Sequence, residues 1–130
     1  MDFPENLRYT KTHEWISVQG NKGKVGVTEY AQKEISDVVF VELPKKSQSV
    51  QQAKTAAVVE SVKAAFDIYA PVSGKISDVN IALESNPSLV NQSPYGEGWL
   101  FELEISSPGE LNSLLTAQQY LDAVQHAPKN

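Results

Sequence analysis

"VVESVKAAFDIYAP", residues 58–71, is the stretch on which the fold turns. Two apolar, strand-like runs meet at Val62-Lys63-Ala64-Ala65, which predicts a hairpin tip. Such tips are normally written with Asn-Gly or Asp-Gly, residues that accept positive φ; lysine does so only at a cost. With Lys63 and Ala64 as the loop, Val62 faces Ala65, Ser61 faces Phe66, Glu60 faces Asp67 and Val59 faces Ile68. Alternation then places Ala57, Val59, Ser61, Phe66, Ile68 and Ala70 on one largely apolar face, the natural core side. Val58, Val62 and Tyr69 take the other face, with Glu60 and Asp67 directly opposed, a like-charge pairing that destabilises a sheet. A non-glycine tip and a facing carboxylate pair are two broken local rules, and joint violations mark functional or strained sites.

A lone lysine on a rigid, exposed tip suits acylation by another enzyme. The acyl group removes the charge and leaves a long tether that can carry a cofactor. The alternative is a plain surface lysine, one of ten in the chain.

Outward from the hairpin, the first hundred residues read as short strands broken by turns. "HEWISVQ" runs into Gly20-Asn21 and on to "KVGVT", which predicts a second hairpin. "TEYAQKEIS" predicts a short helix with Tyr30, Ala31 and Ile35 at helical spacing, and "DVVFVELP" a strand stopped by Pro44. "GKISDVNI" is a further strand and "ESNPSLVNQSPYGEG" a turn-rich loop. In "GWLFELEI", Trp99, Phe101, Leu103 and Ile105 alternate against Leu100, Glu102 and Glu104. Trp15, Trp99, Phe40 and Phe101 are the aromatic core candidates. "GKVGVTEYAQ…VVFVEL" and "GKISDVNIAL…WLFELE" echo one another, which suggests a sandwich of two similar halves with the lysine hairpin between them.

The C-terminus changes to helical signals. Ser107-Pro108-Gly109-Glu110 has capping-box form with proline at the first helical position, and Thr116 to Gln119 repeats the box. Leu111, Leu114, Leu115, Leu121 and Val124 form an apolar stripe expected to pack on the sheet, and His126 is expected to lie exposed in the last helix.

Composition bounds the function. The length of 130 residues and 41% hydrophobic content predict one globular domain, residues 1–130. Within it, about 8–105 form a β-sandwich and 107–126 the C-terminal helices. A net charge of −5 with scattered basic residues argues against a nucleic-acid binder. The absence of cysteine rules out a disulfide framework, a thiol nucleophile and a zinc-thiolate site, and no metal site is expected. No signal or transit peptide is visible and no apolar run is long enough to span a bilayer, so a soluble cytoplasmic protein without membrane contact is expected. His13 beside Glu14 has no nucleophile to serve, so catalysis is not assigned there.

"ESVKA" at 60–64, "HEW" at 13–15, "GVT" at 26–28 and "DVVFVELP" at 37–44 together resemble the glycine cleavage system H-protein family. "APVSGKI" at 70–76, "NPSLVN" at 86–91 and "PYGEGWL" at 94–100 extend the resemblance over nearly the whole chain. It implies a mainly β fold, a flattened β-sandwich of the lipoyl/biotinyl carrier (barrel-sandwich hybrid) type with short helices and a C-terminal helical segment. It implies lipoic acid attached covalently through an amide to Lys63. It further implies a non-catalytic carrier, visited in turn by four enzymes and expected to be a monomer. Glycine decarboxylase loads an aminomethyl group, an aminomethyltransferase unloads it, dihydrolipoyl dehydrogenase reoxidises the dithiol, and a lipoate-attaching enzyme installs the arm. The family's arm-holding positions correspond to Thr12, Glu14 and Asp67, and Glu60 is assigned to recognition by the lipoate-attaching enzyme. Carboxylates and hydroxyls in a cleft suit a cationic aminomethyl group that must be kept from water.

Position 66 departs from the family, carrying Phe where a small residue, commonly Ser, is expected. Two other carrier roles compete: a lipoyl relay serving other lipoylated enzymes, and a biotin carrier domain. The latter places its lysine between methionines, whereas Lys63 lies between Val62 and Ala64. From another class, an unmodified binding module or regulatory subunit also fits the composition.

Overall fold

Runs rich in Val, Ile, Phe and Trp become nine strands in the computed structural model, which describes residues 1–125. In chain order they are β1 (Arg8–Tyr9), β2 (Glu14–Gln19), β3 (Lys22–Val27), β4 (Val38–Glu42), β5 (Ser49–Val50), β6 (Thr55–Ser61), β7 (Ala65–Tyr69), β8 (Gly74–Val79) and β9 (Phe101–Ile105). A six-stranded sheet has the order β1-β2-β3-β9-β8-β5, and a three-stranded sheet the order β4-β6-β7; every pairing is antiparallel. The β-sandwich expected from sequence is therefore present, but its sheets are unequal. The two echoed segments part company at their last strands: β4 joins the small sheet and β9 the large one. The lysine hairpin is β6–β7, within the small sheet.

The core lies between the inner faces. Ile16, Val25, Val27, Ile76, Phe101 and Leu103 from the large sheet pack with Val41, Ala57, Val59 and Ile68 from the small one. Full burial of each Val, Leu, Ile or Phe contributes roughly 1.5–3 kcal/mol, so this layer fixes the sheets against one another. At the start of β9 the expected alternation slips, because Leu100 is the buried residue and Trp99 is only half-buried, with Lys24 Nζ lying 4.8 Å from its ring centroid.

Helix α1 (Glu29–Ile35) forms where the Tyr30-Ala31-Ile35 spacing predicts it. Thr28 caps it by accepting the Ala31 N–H, Ala31 and Ile35 are buried, and Ser36 ends it at φ 73°. The turn-rich segment holds most of two single-turn helices, α2 (Ala82–Ser85) and α3 (Leu89–Gln92).

The first C-terminal box does not cap. Residues Pro108–Ser113 form a 3₁₀ helix, and the Ser107 side chain makes no capping bond. Glu110 turns instead to Ser73, accepting its backbone N–H at 2.6 Å and its hydroxyl at 3.0 Å. The second box does form: Thr116 N–H donates to Gln119 Oε1 at 2.9 Å, and Gln119 N–H to Thr116 Oγ1 at 3.2 Å. It opens α4 (Ala117–Gln125), whose fully buried residue is Tyr120, in an aromatic cluster with Tyr9 and Trp15. Of the expected stripe, Leu114 is buried and Leu111, Leu115, Leu121 and Val124 are half-buried. His126 lies outside the described residues. Among the described residues no helix is long and apolar enough to cross a membrane.

Candidate functional site

The hairpin tip is the loop Val62-Lys63-Ala64, one residue longer than the sequence pattern predicts. Glu60 pairs with Ala65, Val59 with Phe66, Val58 with Asp67 and Ala57 with Ile68. This register keeps every residue on its expected face but removes the direct Glu60–Asp67 opposition; the two acids are diagonal neighbours on the outer face. Ser61 is the reason. Its hydroxyl accepts the N–H of Lys63 at 3.1 Å and of Ala64 at 3.2 Å, while its own N–H donates to the Ala64 carbonyl at 2.8 Å. A serine-capped turn of this kind keeps the loop residues out of the positive-φ region, so no glycine is needed.

The tip is also tied laterally. Val62 N–H donates to the Asp37 carbonyl at 3.0 Å, and Lys63 Nζ donates to the Glu34 carbonyl at 3.2 Å. Glu34 lies in the last turn of α1, where free carbonyls carry partial negative charge. Lys63 is exposed, its backbone is fixed, and its ammonium rests on a neutral acceptor.

Thr12 and Glu14 meet in a second cluster, on the turn joining β1 to β2. Glu14 is 1% exposed. Its Oε1 accepts the hydroxyls of Thr10 and Thr12, each at 2.5 Å, and its Oε2 accepts the Tyr69 N–H at 3.1 Å. Burial pushes the Glu14 carboxyl above its usual range, and these hydrogen bonds oppose the shift. Thr12 is exposed, and beside it opens a cavity of about 220 Å³ whose walls include Thr12, Tyr69, Ala70 and Leu114. Asp67 is exposed two residues before Tyr69 on β7, and its carboxylate has no side-chain hydrogen bond among the described residues. Sequence reasoning missed Thr10 and Tyr69; the Thr-x-Thr-x-Glu spacing of residues 10–14 is the signal for the former.

His13 sits between these groups at φ 77°. Its Nδ1 is 2.8 Å from the Tyr120 hydroxyl, which is 2.7 Å from Thr28 Oγ1. Its ring packs on Tyr30 with centroids 4.7 Å apart. Burial holds the imidazole below its ordinary value, with Glu34 pulling the other way. His13 thus ties the Thr12–Glu14 turn to α4.

Among the aromatic core candidates, Trp15 and Phe101 are buried, but Phe40 is 54% exposed. A bulge between Val38 and Phe40 breaks the alternation of β4 and turns both Val39 and Phe40 outward. Phe66, where the family resemblance led to the expectation of a small residue, is half-buried and packs against the main core. Glu60 is exposed, between Ala65 and Phe40 in the pairing.

A family model described as "Glycine cleavage H-protein" matches residues 7–127. The chain is 52% identical over 124 residues to the glycine cleavage system H protein of Endomicrobium trichonymphae, covering 95% of this chain and 100% of that protein. It is 52% identical over 125 residues to the glycine cleavage system H protein of Thermus thermophilus, covering 96% of this chain and 98% of that protein. The crystal structure of a glycine cleavage system H protein from Mycobacterium marinum superposes with a TM-score of 0.87 at 34% identity, covering 95% of this chain and 99% of the other.

Proposed function

This chain belongs to the glycine cleavage H-protein family, and from that premise we infer that it is the lipoyl carrier of the glycine cleavage system. The observation that carries the residue assignment is Lys63, exposed on a tip whose backbone is fixed by Ser61 and Asp37. The residues fit an amide-linked arm. The Lys63 amine is free to leave the Glu34 carbonyl, and the fixed backbone presents it to an incoming active site. Bound there, lipoic acid supplies a dithiolane able to accept an aminomethyl group and two electrons.

The chain itself supplies attachment and shelter rather than catalysis. Asp67 is the accessible carboxylate for a cationic amine at the end of the arm. Thr12 is the accessible hydroxyl. Glu14, buried beneath it, orients Thr12 through its Oε1. Glu60 is assigned to the lipoate-attaching enzyme because it stands exposed on the outer face near the tip. The partners in this reading are that enzyme, glycine decarboxylase, the aminomethyltransferase and dihydrolipoyl dehydrogenase. A single carrier domain over residues 1–130, a cytoplasmic location and a monomer acting through transient encounters belong to the same proposal.

Reconstitution of glycine cleavage with the lipoylated chain tests it. Glycine-dependent one-carbon transfer is expected with the wild type and none with Lys63→Ala. Transfer undiminished in Lys63→Ala contradicts the assignment.

A further inference from the structure

The outer face of the three-stranded sheet is apolar where it borders Lys63. Val39 and Phe40 are each 54% exposed and Val62 is 68% exposed. The β4 bulge turns two successive residues outward, and bulges beside functional sites re-aim side chains in this way. Phe40 pairs with Glu60, and the Val62 N–H is bonded to Asp37 just before β4, so all three apolar groups flank the tip. Glu42, Glu60 and Asp67 stand on the same face through the pairs Glu42–Val58, Phe40–Glu60 and Val58–Asp67. Strands β4, β6 and β7 contain no Lys or Arg. An exposed apolar group flanked by acids marks an interaction surface, and a central aromatic is the usual energetic anchor.

We propose that Val39, Phe40 and Val62 form the docking surface for the enzyme that builds the amide on Lys63, and that this enzyme meets them with an apolar pocket bordered by Lys or Arg. The proposal rests on the carrier reading above. The choice of occupant follows from the order of events. The attaching enzyme meets the chain before any arm exists and must select one lysine among ten. Only protein surface close to the tip can direct that choice, and Val62-Lys63-Ala64 alone offers little. Enzymes that act on the finished arm have a long, distinctive group to grip. The acids on this face and the overall charge of −5 call for a basic rim on the partner.

The test uses full-length unacylated chain, purified lipoate-attaching enzyme and lipoate, with initial rates of acylation at Lys63. Phe40→Ser is expected to lower kcat/KM about tenfold or more, chiefly through KM, the scale of losing a central aromatic anchor. Glu42→Lys is expected to slow acylation and to weaken its salt dependence. Both residues are exposed, so unfolding curves should stay close to the wild type. Once driven to full acylation, Phe40→Ser should be reoxidised by dihydrolipoyl dehydrogenase at the wild-type rate. Wild-type acylation kinetics in Phe40→Ser overturn the proposal, as does an equal loss in the dehydrogenase step. A wild-type dimer in sedimentation that Phe40→Ser dissociates gives the face to a second copy and also overturns it. Wild-type chain that takes no acyl group at Lys63 overturns the carrier reading and this proposal with it.

Discussion

The Tyr69 N–H donates to Glu14 Oε2 over 3.1 Å, so a carboxylate carried by the large sheet closes the free edge of the small one. Edge strands leave backbone groups unpaired, and Glu14 satisfies one of them while also holding the hydroxyls of Thr10 and Thr12. One buried side chain therefore joins the turn that carries Thr10 and Thr12 to the strand that leads back to Lys63.

Glu14 and Asp67 should separate stability from shelter. Glu14→Ala leaves the partly buried Tyr69 amide and the Thr10 and Thr12 hydroxyls without their acceptor and is expected to cost about 1–3 kcal/mol in urea unfolding. Asp67→Ala removes an exposed carboxylate and should stay within about 0.5 kcal/mol of the wild type. Both variants should accept the lipoyl group normally and hydrolyse the aminomethyl adduct faster. An unchanged adduct lifetime in Asp67→Ala removes that residue from the arm-holding role.

Ser61 should set the rigidity of the tip. Ser61→Ala removes the acceptor for the Lys63 and Ala64 amides and is expected to cost about 1 kcal/mol. Amide exchange at Lys63 and Ala64 should quicken, and Ser61→Thr should restore protection. Unaltered exchange in Ser61→Ala contradicts the serine-capped turn.

Glu14, buried, and His13, half-buried, should give opposite pH signatures. The folded His13 imidazole lies below its ordinary value of 6.5, so the unfolded chain takes up the proton first. Its contribution is complete above that pH and is lost as the pH falls through the folded value. Glu14 is raised above 4.5, so the fold favours its protonated form, and ionising it costs stability as the pH rises through the folded value. Urea stability measured from neutrality to about pH 5 should show the advantage of wild type over His13→Asn shrinking below 6.5. A pH-independent difference contradicts the burial of a neutral imidazole.

Two glycines should respond in opposite directions. A Cβ at Gly74 meets the Glu104 backbone carbonyl across the β8–β9 pair, whereas one at Gly109 meets nothing within 4 Å. Gly74→Ala is expected to destabilise by about 1–3 kcal/mol, the range of overpacked sites. Gly109→Ala should be neutral or stabilising by up to about 1 kcal/mol. Thermal unfolding of the two variants distinguishes them.

The sandwich is legible because residues such as Phe101, Leu103 and Ile105 keep strict alternation, and alternation is what burial of one face demands. Phe40 defeats the same rule because a bulge resets the alternation and leaves no mark in the apolar pattern itself. The tip register escapes the pattern because Ser61 reads as an ordinary strand residue, although its hydroxyl is what shapes the turn. The box at Ser107 fails through a long-range competitor, Ser73, that no local window contains. The pattern singles out Lys63 as an odd tip residue but fits a plain surface lysine equally, and its assignment as the attachment site comes from the family resemblance. Thr12 and Glu14 come from the family resemblance, since a buried carboxylate beside two threonines looks from sequence like a solvated turn.

The most direct measurement is intact mass, with peptide mapping, of the chain expressed in its native host with sufficient lipoate. The predicted result is one lipoyl-sized increment on the Lys63 peptide, absent from Lys63→Ala. A biotin-sized increment, a lipoyl group on another lysine, or no modification contradicts the account.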